Sequence, residues 1–295
     1  MTAHREDVTE LPGMETPALG PTGRPLTEFP LPAALTSHGP ARIIALCNQK
    51  GGVGKTTTAI NLGASLAEYG RRVLAVDFDP QGALSAGLGV PTHDAVTIYD
   101  LLLGTVTDVS SAIVHTQTEN LDLIPANIDL SAAEVHLVNE VAREQILARV
   151  LRQVADRYDV ILIDCQPSLG LLTVNALTAA HGVLIPLECE FFALRGVALL
   201  VETVEKVRDR LNPAIRLDGI LATMYDARTL HSREVLERVV DAFGDSVLET
   251  VIGRTVKFPD ASVAGAPLNT FSPDHAAAEA YRTVARELIA RGAVA

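Results

Sequence analysis

The 295-residue chain predicts an α/β fold, a doubly wound and mostly parallel sheet flanked by helices. Three observations carry that prediction. Short Val/Ile/Leu-rich runs recur along the chain, and stretches of helical length and pattern separate most of them. The runs are apolar throughout rather than alternating, as strands covered on both faces must be. A glycine cluster stands between the first run and the first helical stretch, which gives the strand, loop, helix opening of an α/β unit.

Residues 1–40 hold seven of the sixteen prolines, five acids and two bases, with no sustained apolar period. Such a stretch buries too little surface to offset its ordering entropy, so a disordered proline-rich tail is expected over 1–40. One folded domain is expected over 41–295. Its first strand is Ile43-Ile44-Ala45-Leu46-Cys47, which runs into Gly51-Gly52-Val53-Gly54 and then a helix from Thr56 to Tyr69. Further strands are expected at Val73–Val76, Leu121–Ile124, Val160–Ile163, Val183–Ile185, Ile220–Ala222 and Val247–Ile252. The clearest later helices are Ala142–Arg157, Leu194–Arg210, Ser232–Phe243 and Asp274–Arg291.

Composition narrows the function classes. Aromatic residues are 4% and Trp is absent, which argues against a base-stacking platform for single-stranded nucleic acid. A formal net charge of -12 excludes a uniformly basic nucleic-acid binder. Cys47, Cys165 and Cys189 form no CxxC pair, so neither a disulfide framework nor a zinc site is expected, and a reducing cytoplasm fits. No apolar run reaches the ~18 residues of a membrane span and no leader-like apolar region follows the N-terminus.

The most specific feature is Lys50-Gly51-Gly52-Val53-Gly54-Lys55-Thr56-Thr57. A loop between a buried strand and a helix N-terminus aims several backbone N–H groups at one point, where the helix dipole adds positive potential. A polyphosphate suits that point. Lys55 supplies a charge to its β/γ oxygens, and the Thr56 hydroxyl can bind Mg2+. The strict GxxxxGK[ST] pattern fails at its first position, where Gln49 stands.

Such a loop needs acids. Val160-Ile161-Leu162-Ile163-Asp164 places a carboxylate at the C-terminal end of a buried strand, where open α/β sheets bind ligands, and makes Asp164 the second metal candidate. Asp77 and Asp79, spaced i, i+2 at another strand end, point to one face; both could also cap the turn set by Pro80 and Gly82.

KGGVGKTT resembles the deviant Walker A loop of the ParA/MinD class of P-loop ATPases. That resemblance implies ATP and Mg2+ as ligands, and a homodimer formed on ATP in which Lys50 reaches the partner's nucleotide. It implies that Asp79 orients the attacking water, with Asp77 supporting it, so that Lys50, Lys55 and Asp79 are the catalytic candidates. The stretches Asp164–Ala176, Thr223–Thr229 and Thr250–Lys257 resemble blocks of the chromosomal ParA (Soj-type) proteins, with Gln166 and Gly253 where those carry Pro. Gly253 stands in the loop that lies near the adenine in that family. The resemblance covers about residues 42–291. It implies a cytoplasmic, nucleoid-associated partitioning ATPase that binds duplex DNA without sequence preference and is stimulated by a ParB-like partner.

Regional charge is compatible with a local DNA patch. Residues 1–40 carry a net -3, 41–190 a net -8, 191–260 a net -1 and 261–295 zero. Arg228, Arg233, Arg254 and Lys257 are the DNA candidates, because they fall in loops or helix starts. Two other members of the class are alternatives. A MinD-like membrane ATPase would need a basic amphipathic last helix with bulky apolar residues, whereas Ala276–Arg291 is alanine-rich. A metabolic or Fe–S carrier relative would need paired interface cysteines.

Overall fold

Seven strands form a single sheet in the order β3-β4-β2-β5-β1-β6-β7, all parallel except the β3–β4 pair. The computed structural model describes residues 18–190 and 193–294. In chain order the elements are β1 (Arg42–Leu46), α1 (Lys55–Glu68), β2 (Val73–Phe78), α2 (Ala83–Gly87), α3 (Ile98–Leu103), β3 (Val114–His115), β4 (Leu121–Ile124), α4 (Ala133–His136) and α5 (Ile146–Arg152). They continue with β5 (Val160–Cys165), α6 (Leu171–Ala179), β6 (Gly182–Glu188), α7 (Ala193–Arg210), β7 (Arg216–Thr223), α8 (Leu230–Phe243), α9 (Lys257–Val263), α10 (Leu268–Phe271) and α11 (Ala276–Ala290).

The period of two along each strand sends side chains to two separate cores. From β1, Ile43 and Ala45 join the layer under α5 to α8, while Ile44 and Leu46 join the layer under α1 and α11. Both cores are apolar, which is why β2 and β5 are buried at every position and read as unbroken hydrophobic runs.

Three expectations need correction. Val247–Ile252 is not a strand: Val247 makes only an isolated bridge to Ile220. The buried carboxylate of Glu287 instead accepts the Glu249 and Thr250 N–H groups at 2.7 and 3.0 Å, which diverts the backbone from the ladder. Ala142–Arg157 is not one helix, because Ala142 has φ 53° and short 3-10 turns flank α5. Asn175 imposes that start from α6, donating its Nδ2 to the Arg143 carbonyl at 2.9 Å and accepting the Leu147 N–H on Oδ1 at 3.2 Å.

The third correction concerns the tail. Residues 1–17 lie outside the described residues, but 18–40 are fastened to the domain. The Arg24 guanidinium donates to the Val247 carbonyl (3.0 Å), Arg71 donates to the Ala33 carbonyl (3.1 Å), and His38 and the Gly39 N–H meet Asp159 at 2.8 and 2.9 Å. These are polar ties to single side chains, so no hydrophobic period announces them.

Asp159, 3% exposed just before β5, is the hub of the fastening, since it also accepts the Arg72 N–H at 2.7 Å. Burial alone would raise its pKa, but the bonds from Arg72, His38 and Gly39 outweigh that and hold the carboxyl below its ordinary range. Its stabilising effect is therefore present above the ordinary carboxylate pKa and lost as pH falls through the lowered value. Asp159→Asn is expected to cost about 2 kcal/mol at pH 7, and the gap to wild type should close below pH ~4. Urea unfolding at the two pH values checks this.

Candidate phosphate-binding site

β1 ends beneath the glycine loop, and the loop hands the chain directly to α1. Gly52 and Gly54 take φ of 78° and 86°, the left-handed region that side chains with a Cβ resist. A Cβ on Gly51 or Gly52 would meet nothing within 4 Å, so these residues border open space. Gly54 is the N-cap of α1 and brings no side chain to cap it. The first N–H groups of a 14-residue helix thus face the hollow of the loop, a ready anion site.

The loop is held from three sides. Asn48 donates to the Pro186 carbonyl at 2.8 Å and accepts the Lys50 N–H at 3.0 Å, fixing the entry. The Thr223 hydroxyl, at the end of β7, donates to the Val53 carbonyl at 2.8 Å. Lys55 is 7% exposed and its Nζ donates to the Lys50 carbonyl at 3.3 Å, across the hollow.

Two acids face the loop from neighbouring strands, Asp77 on β2 in register with Asp164 on β5. Asp164 is fully buried. One carboxylate oxygen accepts the Thr56 hydroxyl at 2.7 Å, and the other is buried with no hydrogen-bond partner. Burial, then the charge of Asp77, push its carboxyl up to about 8 against the opposing effects of Thr56 and Lys55. A buried carboxyl of this kind stays charged at neutral pH only beside a cation. The donor set, a threonine hydroxyl and one carboxylate next to a phosphate hollow, fits Mg2+, which keeps most of its waters and takes few protein ligands. No group of three or more His, Cys, Asp or Glu side chains suited to an all-protein metal cage occurs among the described residues.

Asp77 and Asp79 divide their labour. Asp77 is buried and accepts both the N–H and the hydroxyl of Ser85, at 2.8 and 2.7 Å, while burial pushes its carboxyl up to about 6. Asp79 is half-buried and accepts the Gln81 N–H at 3.0 Å. Asp77 is thus engaged by Ser85, whereas Asp79 is less buried and accepts only the turn N–H of Gln81.

Lys50 points away from the loop. Its Nζ donates to Glu188 at 3.0 Å and also to Glu190, at the C-terminal end of β6. Burial works against its charge, but Glu190 and Glu188 prevail and raise its pKa. The other oxygen of Glu188 holds Arg254 at 3.1 Å. Sequence reasoning missed both glutamates, although Glu188-Cys189-Glu190 ends an apolar strand with the same i, i+2 spacing of acids as Asp77-Phe78-Asp79.

Beside the loop, a cavity of about 290 Å3 runs between Thr57, Met224, Gly253, Phe258 and Tyr281. Gly253 thus lines a space that Gly54 and Thr57 also line. The four basic candidates lie on the same C-terminal edge of the sheet. Arg228 pairs with Asp226 at 2.8 Å, Arg254 with Glu188, and Lys257 with Asp260 at 3.6 Å, while Arg233 stands in the first turn of α8. The Arg254 N–H reaches the Tyr225 carbonyl at 3.3 Å, which brings the Arg254 and Arg228 segments together.

The chain is similar to known proteins over most of its length. A family described as AAA domain matches residues 41–217. The chromosome-partitioning ATPase Soj of Treponema pallidum is 50% identical over 250 residues, covering 85% of this chain and 98% of Soj. An uncharacterized protein of Mycobacterium tuberculosis is 63% identical over 274 residues, covering 92% of this chain and 86% of that one. Among solved structures, the cobyrinic acid a,c-diamide synthase of Mycobacterium smegmatis with bound ADP and magnesium has a TM-score of 0.75 and 43% identity, covering 86% of this chain and 96% of that one.

Proposed function

The chain belongs to the ParA/Soj-type P-loop ATPases, and from that membership we propose that it is an ATP-dependent chromosome- or plasmid-partitioning ATPase. It binds ATP with Mg2+, pairs with a second copy, holds duplex DNA without sequence preference in the cytoplasm and hydrolyses ATP slowly until a ParB-like partner speeds it. The observation that carries the nucleotide reading is Asp164, with one oxygen on Thr56 and the other buried and unpartnered beside the glycine hollow.

In this reading the N–H groups of Gly51, Gly52, Val53, Gly54, Lys55, Thr56 and Thr57 cradle the phosphates, and Lys55 gives its charge to the β/γ oxygens. Thr56 and Asp164 would hold Mg2+, which would supply positive charge to the β/γ phosphate oxygens when bound. Asp79 aligns a water opposite the β–γ bridge; a water oxygen–phosphorus bond forms as the phosphorus–bridge oxygen bond is lost, and no covalent protein intermediate arises. Lys50, drawn from Glu188 and Glu190, stabilises the transition state at the partner's site as an arginine finger would. The decisive experiment is the ATPase rate with and without duplex DNA and a ParB-like protein from the same organism. Stimulation is expected; indifference to both would remove the partitioning role.

Arg228, Arg233, Arg254 and Lys257 are the proposed DNA contacts. Since three of them are paired with acids, affinity should be weak and steeply salt-dependent. Arg228→Ala with Arg254→Ala is expected to weaken duplex binding by the ATP form and to flatten the slope of log affinity against log salt by about 1 for each phosphate no longer neutralised. Unchanged slope in a filter-binding titration would place the DNA surface elsewhere.

A further inference from the structure

Two of the three free cysteines meet inside the fold, 118 positions apart in sequence. The Sγ atoms of Cys47 and Cys165 are 3.3 Å apart, and each residue is 1% exposed. The meeting follows from the sheet: β1 pairs β5 with Leu46 opposite Asp164, so the next residues, Cys47 and Cys165, continue the register. Neighbouring strands stand ~4.8 Å apart, inside the ~4.4–6.8 Å range of Cα separations that a disulfide spans.

Each thiol is one step from the phosphate site. Cys47 precedes Asn48, which fixes the entry to the glycine loop, and Cys165 follows Asp164, whose carboxylate holds Thr56. Bonding the two sulfurs requires them to close from 3.3 Å to ~2.05 Å, and that movement falls on the two strand ends that carry the loop and the acid.

We propose that Cys47 and Cys165 are an oxidisable dithiol whose closure by a peroxide disables the phosphate site. One sulfur attacks a peroxide oxygen, the O–O bond breaks and water leaves, giving a sulfenic acid. The second sulfur attacks the first, the S–O bond breaks, a second water leaves and the S–S bond forms. Both thiol protons end in the waters, the two sulfurs together lose two electrons, and the peroxide gains them. Both thiols are buried, so the pair is shielded at rest and reacts when the strand ends open. A reductant of the dithiol class reverses the bond.

Loss of the phosphate site on closure rests on the nucleotide-binding reading above and needs neither DNA, dimerisation nor a ParB-like partner. The test treats the full chain with hydrogen peroxide, alkylates the remaining thiols after denaturation, maps the peptides by mass spectrometry and measures MgATP affinity by calorimetry. The expected result is a Cys47–Cys165 linked peptide, Cys189 still alkylated, and affinity reduced about tenfold or more, as sub-ångström misplacement of a site allows, with recovery in dithiothreitol. Cys47→Ser and Cys165→Ser, made separately, should each keep their affinity after peroxide, and Cys189→Ser should lose it as wild type does. A linked peptide without loss of affinity would overturn the proposal, as would equal loss in the Cys47→Ser and Cys165→Ser proteins. If the reduced wild type failed to bind MgATP, the nucleotide reading itself would fall, while the peptide map would still decide whether the bond forms.

Discussion

Alanine at position 50 is expected to abolish ATP-dependent pairing and to lower turnover about 10³-fold or more, the range over which a charge supplied in trans acts on phosphoryl transfer. Binding of MgATP by a single copy should survive, because Lys55, the loop N–H groups, Thr56 and Asp164 are untouched. The loss cannot be ascribed to unfolding. Lys50 is about half exposed, with a side-chain exposure of 47%, and ion pairs of that kind contribute roughly 0–1 kcal/mol. Light scattering with a non-hydrolysable ATP analogue, calorimetry and a steady-state ATPase assay separate the three quantities. Turnover like wild type would show that Lys50 serves only its two glutamates.

Asp79→Ala should give the opposite dissociation of properties. Pairing on ATP persists, and hydrolysis falls by about 10²–10⁴, the usual range for a group that positions or deprotonates a nucleophile. The paired state should therefore outlive that of wild type. Its neighbour supplies the control: Asp77→Ala strips the partner from the N–H and hydroxyl of Ser85, so it should lower thermal stability before it affects chemistry. If Asp79→Ala hydrolysed normally while still pairing, the water-positioning role would have to pass to another group at the rim.

Much of this was legible in the residues because the signals are local. An apolar run, three glycines and a lysine-threonine pair in one stretch carry the loop, and Asp164 closes another apolar run in the same way. The parallel sheet follows from runs that tolerate no polar face. What escaped is non-local. The buried Glu287 that pulls Glu249 and Thr250 out of the sheet lies 38 and 37 residues away, and Asn175 resets the start of α5 from 28 and 32 residues away. Propensity and periodicity carry no record of such bonds. The meeting of Cys47 with Cys165 needed the strand order, in which β5 rather than β6 stands on that side of β1. The turning of Lys50 toward Glu188 and Glu190 needed the position of β6.

The hydroxyl of Thr223 on the Val53 carbonyl has a bearing on how tightly a phosphate can be gripped. A glycine-rich hairpin left to itself samples many shapes, and a ligand must select one of them at a cost in affinity. With Val53 buried and its carbonyl tied to the end of β7, that selection is made when the chain folds. Grip on the nucleotide is then inherited from the rigidity of β7. A core substitution on that strand, at Ile220 for example, would loosen the hold on phosphate from a distance, through a loop that had merely become less sure of its shape.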